Sequence, residues 1–188
     1  MAVLLAYFSV VLIWATTPLT IQWSSDSLSF IAAVLLRMSV ALAIGLVINL
    51  VLRRKLFAEA KVWKVYAAGA IGIFPNMPVV YWSAQFIPSG LVAVVFAMSP
   101  FVMGLMTLVL LKHNPFTVRR VIALLLALFG LVVIFHHQIH FSLKSAYGIA
   151  GILLSCFLFG FSSVLVKKLN VKVDAFNQAI GTLLFALP

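Results

Sequence analysis

The sequence predicts an all-α protein that spans a membrane several times, and its composition is the first observation behind that fold class. Hydrophobic residues make up 65% of the 188 residues, charged residues make up 9%, and the mean hydropathy is +1.23. A soluble domain is nearer half apolar and a quarter charged, and a small one cannot bury so much apolar surface. We therefore expect lipid to solvate most of the chain.

The second observation is the length of the apolar runs, most of which approach the roughly 20 residues that a helix needs to cross a bilayer. Their residues do not alternate between apolar and polar as the strands of a membrane barrel do. Backbone groups in lipid must satisfy their own hydrogen bonds, so we expect helices. The predicted spans cover residues 2–22, 30–52, 65–84, 89–111, 121–135 and 146–166, with a seventh that begins at residue 175. We expect the first to be retained, because it lacks the basic start and the cleavage site of a signal peptide.

The third observation is the placement of the basic residues, which accounts for the net charge of +10 without a nucleic-acid partner. All 13 except Arg37 and Lys144 fall in the second, fourth and sixth connections. Positive residues favour the cytoplasmic side, so we expect these connections and the N-terminus to lie there. The residues are Arg53, Arg54, Lys55, Lys61 and Lys64, then Lys112, Arg119 and Arg120, then Lys167, Lys168 and Lys172.

The first and sixth spans share a pattern that indicates an internal repeat. Residues 14–21 read WATTPLTI and residues 159–166 read FGFSSVLV, and the two segments lie five spans apart. An odd number of spans inverts the second copy relative to the first, although chance similarity of two apolar helices is the alternative. We predict a first five-helix repeat over residues 1–141 and the start of a second over 142–188, cut within its second helix. Two complete copies need about 290 residues, so the chain would be the N-terminal two-thirds of a ten-helix, 5+5 protein.

Three short motifs stand at fixed places along the spans. Trp14 is followed by small residues in the first span, and Leu36-Arg37 stands in the second. The block over residues 89–135 contains Ser99-Pro100 and a late glycine, Gly130. Together these motifs resemble those of the EamA-type branch of the drug/metabolite transporter superfamily.

One position departs from that family pattern. Lys112-His113 stands where the family usually has Gly-Glu at the end of the fourth helix, so the role of that glutamate is not carried over. The resemblance implies an inner-membrane (plasma-membrane) carrier of ten helices, with a central cavity lined by the first four helices of each repeat.

Arg37 is the only charged residue well inside a predicted span. It lies seven residues after Phe30, about 10 Å into the membrane at 1.5 Å per residue. An arginine at such a depth costs on the order of 2–3 kcal/mol and commonly faces an aqueous cavity or a fixed partner. The alternatives are that its side chain extends outward to the interface or binds backbone carbonyls. We interpret it as a source of positive potential suited to a carboxylate or a phosphate.

The third span contains two prolines, Pro75 and Pro78, which must bend or open the helix. Broken helices expose backbone groups and mark binding sites in many transporters. Asn76 and Tyr81 are therefore candidates for substrate contact, with a simple packing kink as the alternative.

Trp14, Thr17 and Ser99 are further candidates for substrate contact. Trp14 could instead pack against a neighbouring helix, and the hydroxyls could bind the carbonyls of their own helix or of a neighbour. Small residues spaced four apart, such as Ala68 and Gly72 or Gly151 and Ser155, predict close helix packing.

Metal, cofactor and catalytic sites are not expected. The histidines between His136 and His140 are interpreted as part of an outer loop, and no glycine-rich phosphate loop is present. No histidine lies within a span to activate a serine, so we expect no enzymatic activity. Asp26, Glu59 and Asp174 all fall in predicted connections, so facilitated exit, exchange and proton coupling all stay open.

The predicted function is that of a secondary carrier that exports a small amino-acid-like, anionic or zwitterionic metabolite by alternating access. The alternative is a non-transporting integral membrane fragment or scaffold. The expected partners are the lipid bilayer and a small solute, without nucleic acid, and a homodimer is left open.

Overall fold

The computed structural model describes residues 2–57, 61–136 and 142–187, and within these ranges the regular structure is helical, without strands. This confirms the all-α fold class. The helices are α1 (Ala2–Ser27), α2 (Phe30–Val51), α3 (Val62–Ala70), α4 (Asn76–Ser83), α5 (Ser89–Phe96), α6 (Ser99–Leu111), α7 (Val118–Phe135), α8 (Leu143–Leu169) and α9 (Ala175–Ala186).

Four segments of the described chain are long and apolar enough to cross a membrane: Val3–Ser24, Phe30–Val51, Ser89–Leu111 and Leu143–Leu169. They coincide with the first, second, fourth and sixth predicted spans. The third predicted span is represented by α3 and α4, the fifth by α7 and the seventh by α9. The protein is therefore a multi-pass membrane protein.

Several helices continue beyond the apolar runs into the predicted connections. Hydropathy marks the edge of the hydrocarbon, whereas the hydrogen bonds of a helix continue into the polar interface, so the predicted ends were too short. Asp26 lies in the last turn of α1 and not in a connection, and Glu59 lies outside the described residues. Besides Arg37 in α2, the other charged residues that lie in helices of the described chain are Lys64, Arg119, Arg120, Lys144, Lys167 and Lys168.

The third span is broken, as its prolines predict. The chain turns over residues 71–75 between α3 and α4, and Pro75 caps the second of these helices. The break in the fourth span was not predicted: α5 ends at Phe96 and α6 starts at Ser99. Pro100 lacks the amide that would reach the Phe96 carbonyl, and the Ser99 hydroxyl donates to that carbonyl instead, at 2.5 Å.

Helix α8 lies at the centre of the bundle and packs against α3, α4, α5 and α6. Small residues allow this approach, because a Cβ atom at Gly151 would overlap the Ser83 hydroxyl of α4. One at Gly72 would lie 3.0 Å from the Ser162 Oγ of α8. Close packing at Gly72 and Gly151 is therefore confirmed. The core around this centre includes Val80, Tyr81, Val92, Ile152 and Cys156.

Polar contacts tie the end of α2 to the start of α9. The Asn49 Nδ2 donates to the Asn177 Oδ1 at 2.9 Å, and the Arg54 Nη1 lies 2.7 Å from the Asp174 Oδ2. Asp174 is also the N-cap of α9 and accepts the Asn177 amide at 3.4 Å. We call this group of four residues the α2–α9 tie. It joins the predicted first repeat to the predicted start of the second.

Candidate functional site

Arg37 and Tyr81 are the two predicted site residues that the fold brings together. The Arg37 Nη1 donates to the Tyr81 Oη at 3.2 Å, between α2 and α4. Tyr81 is 1% exposed, whereas the Arg37 side chain is exposed on the surface of α2. A guanidinium carries five N–H donors, so this contact leaves most of its donors for another acceptor.

The packing of α2 explains why the pair forms. Ala33 and Val34 are buried against the core, and Arg37 follows them by one turn on the same side of the helix. On α4, Val80 and Tyr81 are buried in the same core cluster, so the Tyr81 hydroxyl reaches the edge of that cluster where α2 passes. Core packing fixes the tyrosine ring, and the hydrogen bond to its hydroxyl positions the guanidinium.

A cavity of about 900 Å³ lies nearby, between the end of α1, the start of α2 and the α4–α5 connection. Arg37 lies about 10 Å along α2 from Phe30 in the cavity wall, and Tyr81 lies about 5 Å along α4 from Ala84 in that wall. The pair is therefore deeper in the membrane than the cavity. The volume is within the usual range for small-molecule sites. The cavity is lined by Gln22, Trp23, Leu28, Ser29, Phe30, Ala84, Gln85, Phe86, Ile87 and Pro88.

Gln22 and Gln85 are lining residues that sequence reasoning missed. Gln22 holds the wall together, because its Nε2 donates to the Ile87 carbonyl at 3.0 Å. Both residues stand at the ends of apolar runs, where a polar residue is usually assigned to the interface. The signal that could have found them is the pairing of an amide with aromatic neighbours, Gln22 with Trp23 and Gln85 with Phe86.

Asn76 starts α4 at the break in the third span. Its Nδ2 donates to the Gly72 carbonyl at 2.9 Å, and the residue is 2% exposed. Its Oδ1 is buried and has no hydrogen-bond partner among the described residues. A buried acceptor without a partner costs about 1–3 kcal/mol, so it is a position where a donor of a bound solute would be stabilised.

Trp14 packs against a neighbouring helix and Thr17 binds a carbonyl of its own helix, the alternatives to substrate contact. Trp14 is 58% exposed, and its ring packs edge-to-face on Phe159 of α8 at 6.4 Å between centroids. The Thr17 hydroxyl donates to the Ile13 carbonyl of its own helix at 2.6 Å. In the described part of the chain, neither side chain is hydrogen-bonded to Arg37.

Ser99 is occupied at the α5–α6 break. Besides its bond to Phe96, its Oγ lies 3.3 Å from the Cys156 Sγ of α8, which is buried. The two residues join the break in the fourth span to the central helix. The structure therefore does not bring Trp14, Thr17 or Ser99 into contact with the Arg37–Tyr81 pair.

Among the described residues, no carboxylate forms an ion pair with Arg37. The ion pair found among the described residues joins Arg54 to Asp174, at the opposite end of α2. No group of three or more potential metal ligands occurs among the described residues. His136 contacts the Val133 carbonyl through Nδ1 at 2.8 Å, and the remaining histidine positions up to His140 lie outside the described residues.

One known protein family matches the part of the chain that contains most of these helices. The model of the EamA-like transporter family matches residues 1–136, which span α1 to α7 and include all six candidate site residues. No curated protein and no solved structure matches the chain. The match covers more than half of the sequence. The chain belongs to the EamA-like transporter family.

Proposed function

We propose that this membrane protein is a secondary carrier that exports a small amino-acid-like, anionic or zwitterionic metabolite by alternating access. The observation that carries the proposal is the Arg37–Tyr81 pair, a guanidinium within a membrane span, held by a buried tyrosine and deeper than a large cavity. A charge in such a position is costly, and it is stabilised by water, by carbonyls or by a ligand anion.

The chemistry of the pair favours a carboxylate. The planar guanidinium presents parallel N–H groups that match two carboxylate oxygens, which an ammonium cannot do. Since the Tyr81 hydroxyl accepts from Nη1, it fixes the plane of the guanidinium and leaves the other N–H groups for the solute.

The unpaired Asn76 oxygen extends the proposal to zwitterions. It is an acceptor at the break of the third span, five residues before Tyr81. An acceptor suits the ammonium group of an amino-acid-like solute, as the guanidinium suits its carboxylate. Broken helices recur at the substrate sites of secondary transporters.

Two observations support alternating access between inverted repeats. Trp14 and Phe159 occupy equivalent positions of the predicted repeats and contact each other, as residues near a two-fold axis would. The cavity lies at the Phe30 end of α2, whereas the α2–α9 tie lies about 28 Å along the helix, at its Asn49 end. A cavity at one end of α2 and a polar tie at the other are the features that a carrier open to one side requires.

The proposal is tested with the protein reconstituted in vesicles. Uptake of radiolabelled anionic, zwitterionic, cationic and neutral solutes of similar size would be compared with uptake by empty vesicles. Uptake of the anionic or zwitterionic solutes without uptake of the cationic ones supports the proposal. Transport of cations only contradicts it, and absence of transport for every class favours the scaffold alternative.

A further inference from the structure

A second cavity lies away from the Arg37–Tyr81 pair, in the groove between α6 and α7. Its volume is about 330 Å³. It is lined by Pro100, Gly104, Pro115, Phe116, Arg120, Ala123 and Leu124. We infer that this groove, which we call the α6–α7 groove, binds an anionic phospholipid, with the phosphate at Arg120 and an acyl chain against the apolar lining.

The connection between the two helices builds one wall of the groove. Lys112 ends α6 in the left-handed conformation at φ 52°, and the chain folds back so that the Phe116 ring lies against Gly104. A Cβ atom at Gly104 would overlap that ring, so only glycine leaves room for it. The Asn114 Oδ1 accepts the Phe116 amide at 2.9 Å and holds the turn.

Arg120 is positioned at the mouth of the groove by the same connection. Its Nη1 donates to the Pro115 carbonyl at 3.0 Å, and its backbone amide donates to the N-cap hydroxyl of Thr117 at 3.4 Å. One contact at the guanidinium leaves other N–H groups for phosphate oxygens, which a guanidinium binds bidentately.

The charge around the groove is positive and is not balanced locally. Lys112, Arg119 and Arg120 are exposed at the connection, beside His113. No aspartate or glutamate occurs between Glu59 and Asp174 in the sequence, and Asp174 is paired with Arg54. Among the described residues no ion pair joins Arg120, the cation that lines the groove, to a carboxylate, and the exposed Lys112 and Arg119 in the same connection add positive charge.

The surroundings identify the anion as a membrane lipid. The groove lies where α6 ends at Leu111 and α7 begins at Val118, which is the edge of the apolar run. The adjacent surface of α7 is apolar and exposed, with Ile122 at 52% and Leu126 at 65%. Basic pockets between transmembrane helices bind anionic headgroups, and an apolar groove below them accommodates a chain.

The inference is tested by native mass spectrometry of the 188-residue chain, supplied with phosphatidylglycerol and phosphatidylcholine of identical acyl chains. Each basic residue near a headgroup contributes about a fivefold preference, so R119Q/R120Q should lower the retained phosphatidylglycerol-to-phosphatidylcholine ratio about 25-fold. The matched control is K167Q/K168Q, which removes two exposed cations from the last turn of α8. It should leave the ratio within about twofold.

A second pair of variants tests the apolar part with the charges intact. Ala123→Trp fills the groove and should reduce retained phosphatidylglycerol, whereas Ala127→Trp adds the same bulk to α7 outside the groove and should not. Equal loss in both charge variants would show a general attraction to positive charge and would overturn the inference. An unchanged ratio in R119Q/R120Q would also overturn it, as would retention of inorganic phosphate to the same extent as phosphatidylglycerol.

Discussion

The contact between Tyr81 and Arg37 joins a residue that is almost fully buried to one that carries a charge inside a membrane span. Tyr81 is fixed by core packing, so its hydroxyl is a rigid acceptor for the flexible guanidinium. Hydrogen bonds to charged groups contribute about 1.5–3 kcal/mol, more than neutral ones. The tyrosine ring packs in the core, whereas its hydroxyl positions the guanidinium.

Tyr81→Phe removes this acceptor and keeps the buried ring. We expect protein levels to hold, while the KM for an anionic solute rises about 10-fold, because the guanidinium loses its fixed orientation. Uptake kinetics in vesicles measure the change. Tyr147→Phe is the control, since Tyr147 is 61% exposed on α8 and distant in sequence from the pair. Equal kinetics for the two variants would remove Tyr81 from the site.

At the scale of elements, α4 and α8 approach closely because glycine and serine face each other. A Cβ at Gly151 would overlap the Ser83 hydroxyl, while a Cβ at Gly130 of α7 would meet nothing within 4 Å. The same substitution at these two helical glycines changes helix propensity alike but creates a steric overlap only at Gly151.

Gly151→Val should lower the free energy of unfolding by about 1–3 kcal/mol, as overpacking commonly does. Gly130→Val introduces the same side chain into open space and should change it far less. Thermal unfolding of the purified proteins in one detergent gives the comparison. A larger loss at position 130 would mean that the α4–α8 seam is not as close as described.

The α2–α9 tie supplies a polar contact between two helices. Asn49 is 7% exposed, and its amide donates to Asn177. Asn49→Leu leaves the Asn177 oxygen without this donor, and we expect a loss of about 0.5–2 kcal/mol, the range for hydrogen bonds between membrane helices. A double-mutant cycle with Asn177→Leu measures the coupling. Additive effects of the two substitutions would show that the hydrogen bond contributes nothing.

For the molecule as a whole, the basic connections predict its orientation in the membrane. Cysteines placed at Lys55 and Arg120 should be protected from an impermeant thiol reagent in intact cells, and cysteines at Ser27 and His140 should react. The natural thiol, Cys156, is buried and gives little background. Labelling at position 55 or 120 from outside would reverse the predicted topology.

The sequence predicted the helical class, the central charge and the break in the third span, because each depends on local chemistry. Lipid admits few backbone structures, an arginine in a span is conspicuous by its cost, and two prolines three residues apart remove two backbone donors from one helix. The break beside Pro100 was missed for a different reason. The apolar run 89–111 continues on both sides of Pro100, and hydropathy does not show where one helix ends and the next begins.

The contacts between helices could not be predicted. Arg37 and Tyr81 are 44 residues apart, and their meeting depends on how α2 and α4 are rotated about their axes. Hydrophobic periodicity sets that rotation in a soluble protein, but a helix that is apolar on every side provides no such signal. The same limitation hid the Asn49–Asn177 bond, which joins residues 128 apart.

The central claim is that Arg37 binds the transported anion, and substitution of this one residue tests it most directly. Protein level and uptake of an anionic solute would be measured side by side for Arg37→Lys and Arg37→Leu. The account predicts that both variants insert at wild-type levels and that both lose transport, because lysine keeps the charge without the bidentate geometry. A well-expressed Arg37→Leu protein with unchanged uptake would contradict it.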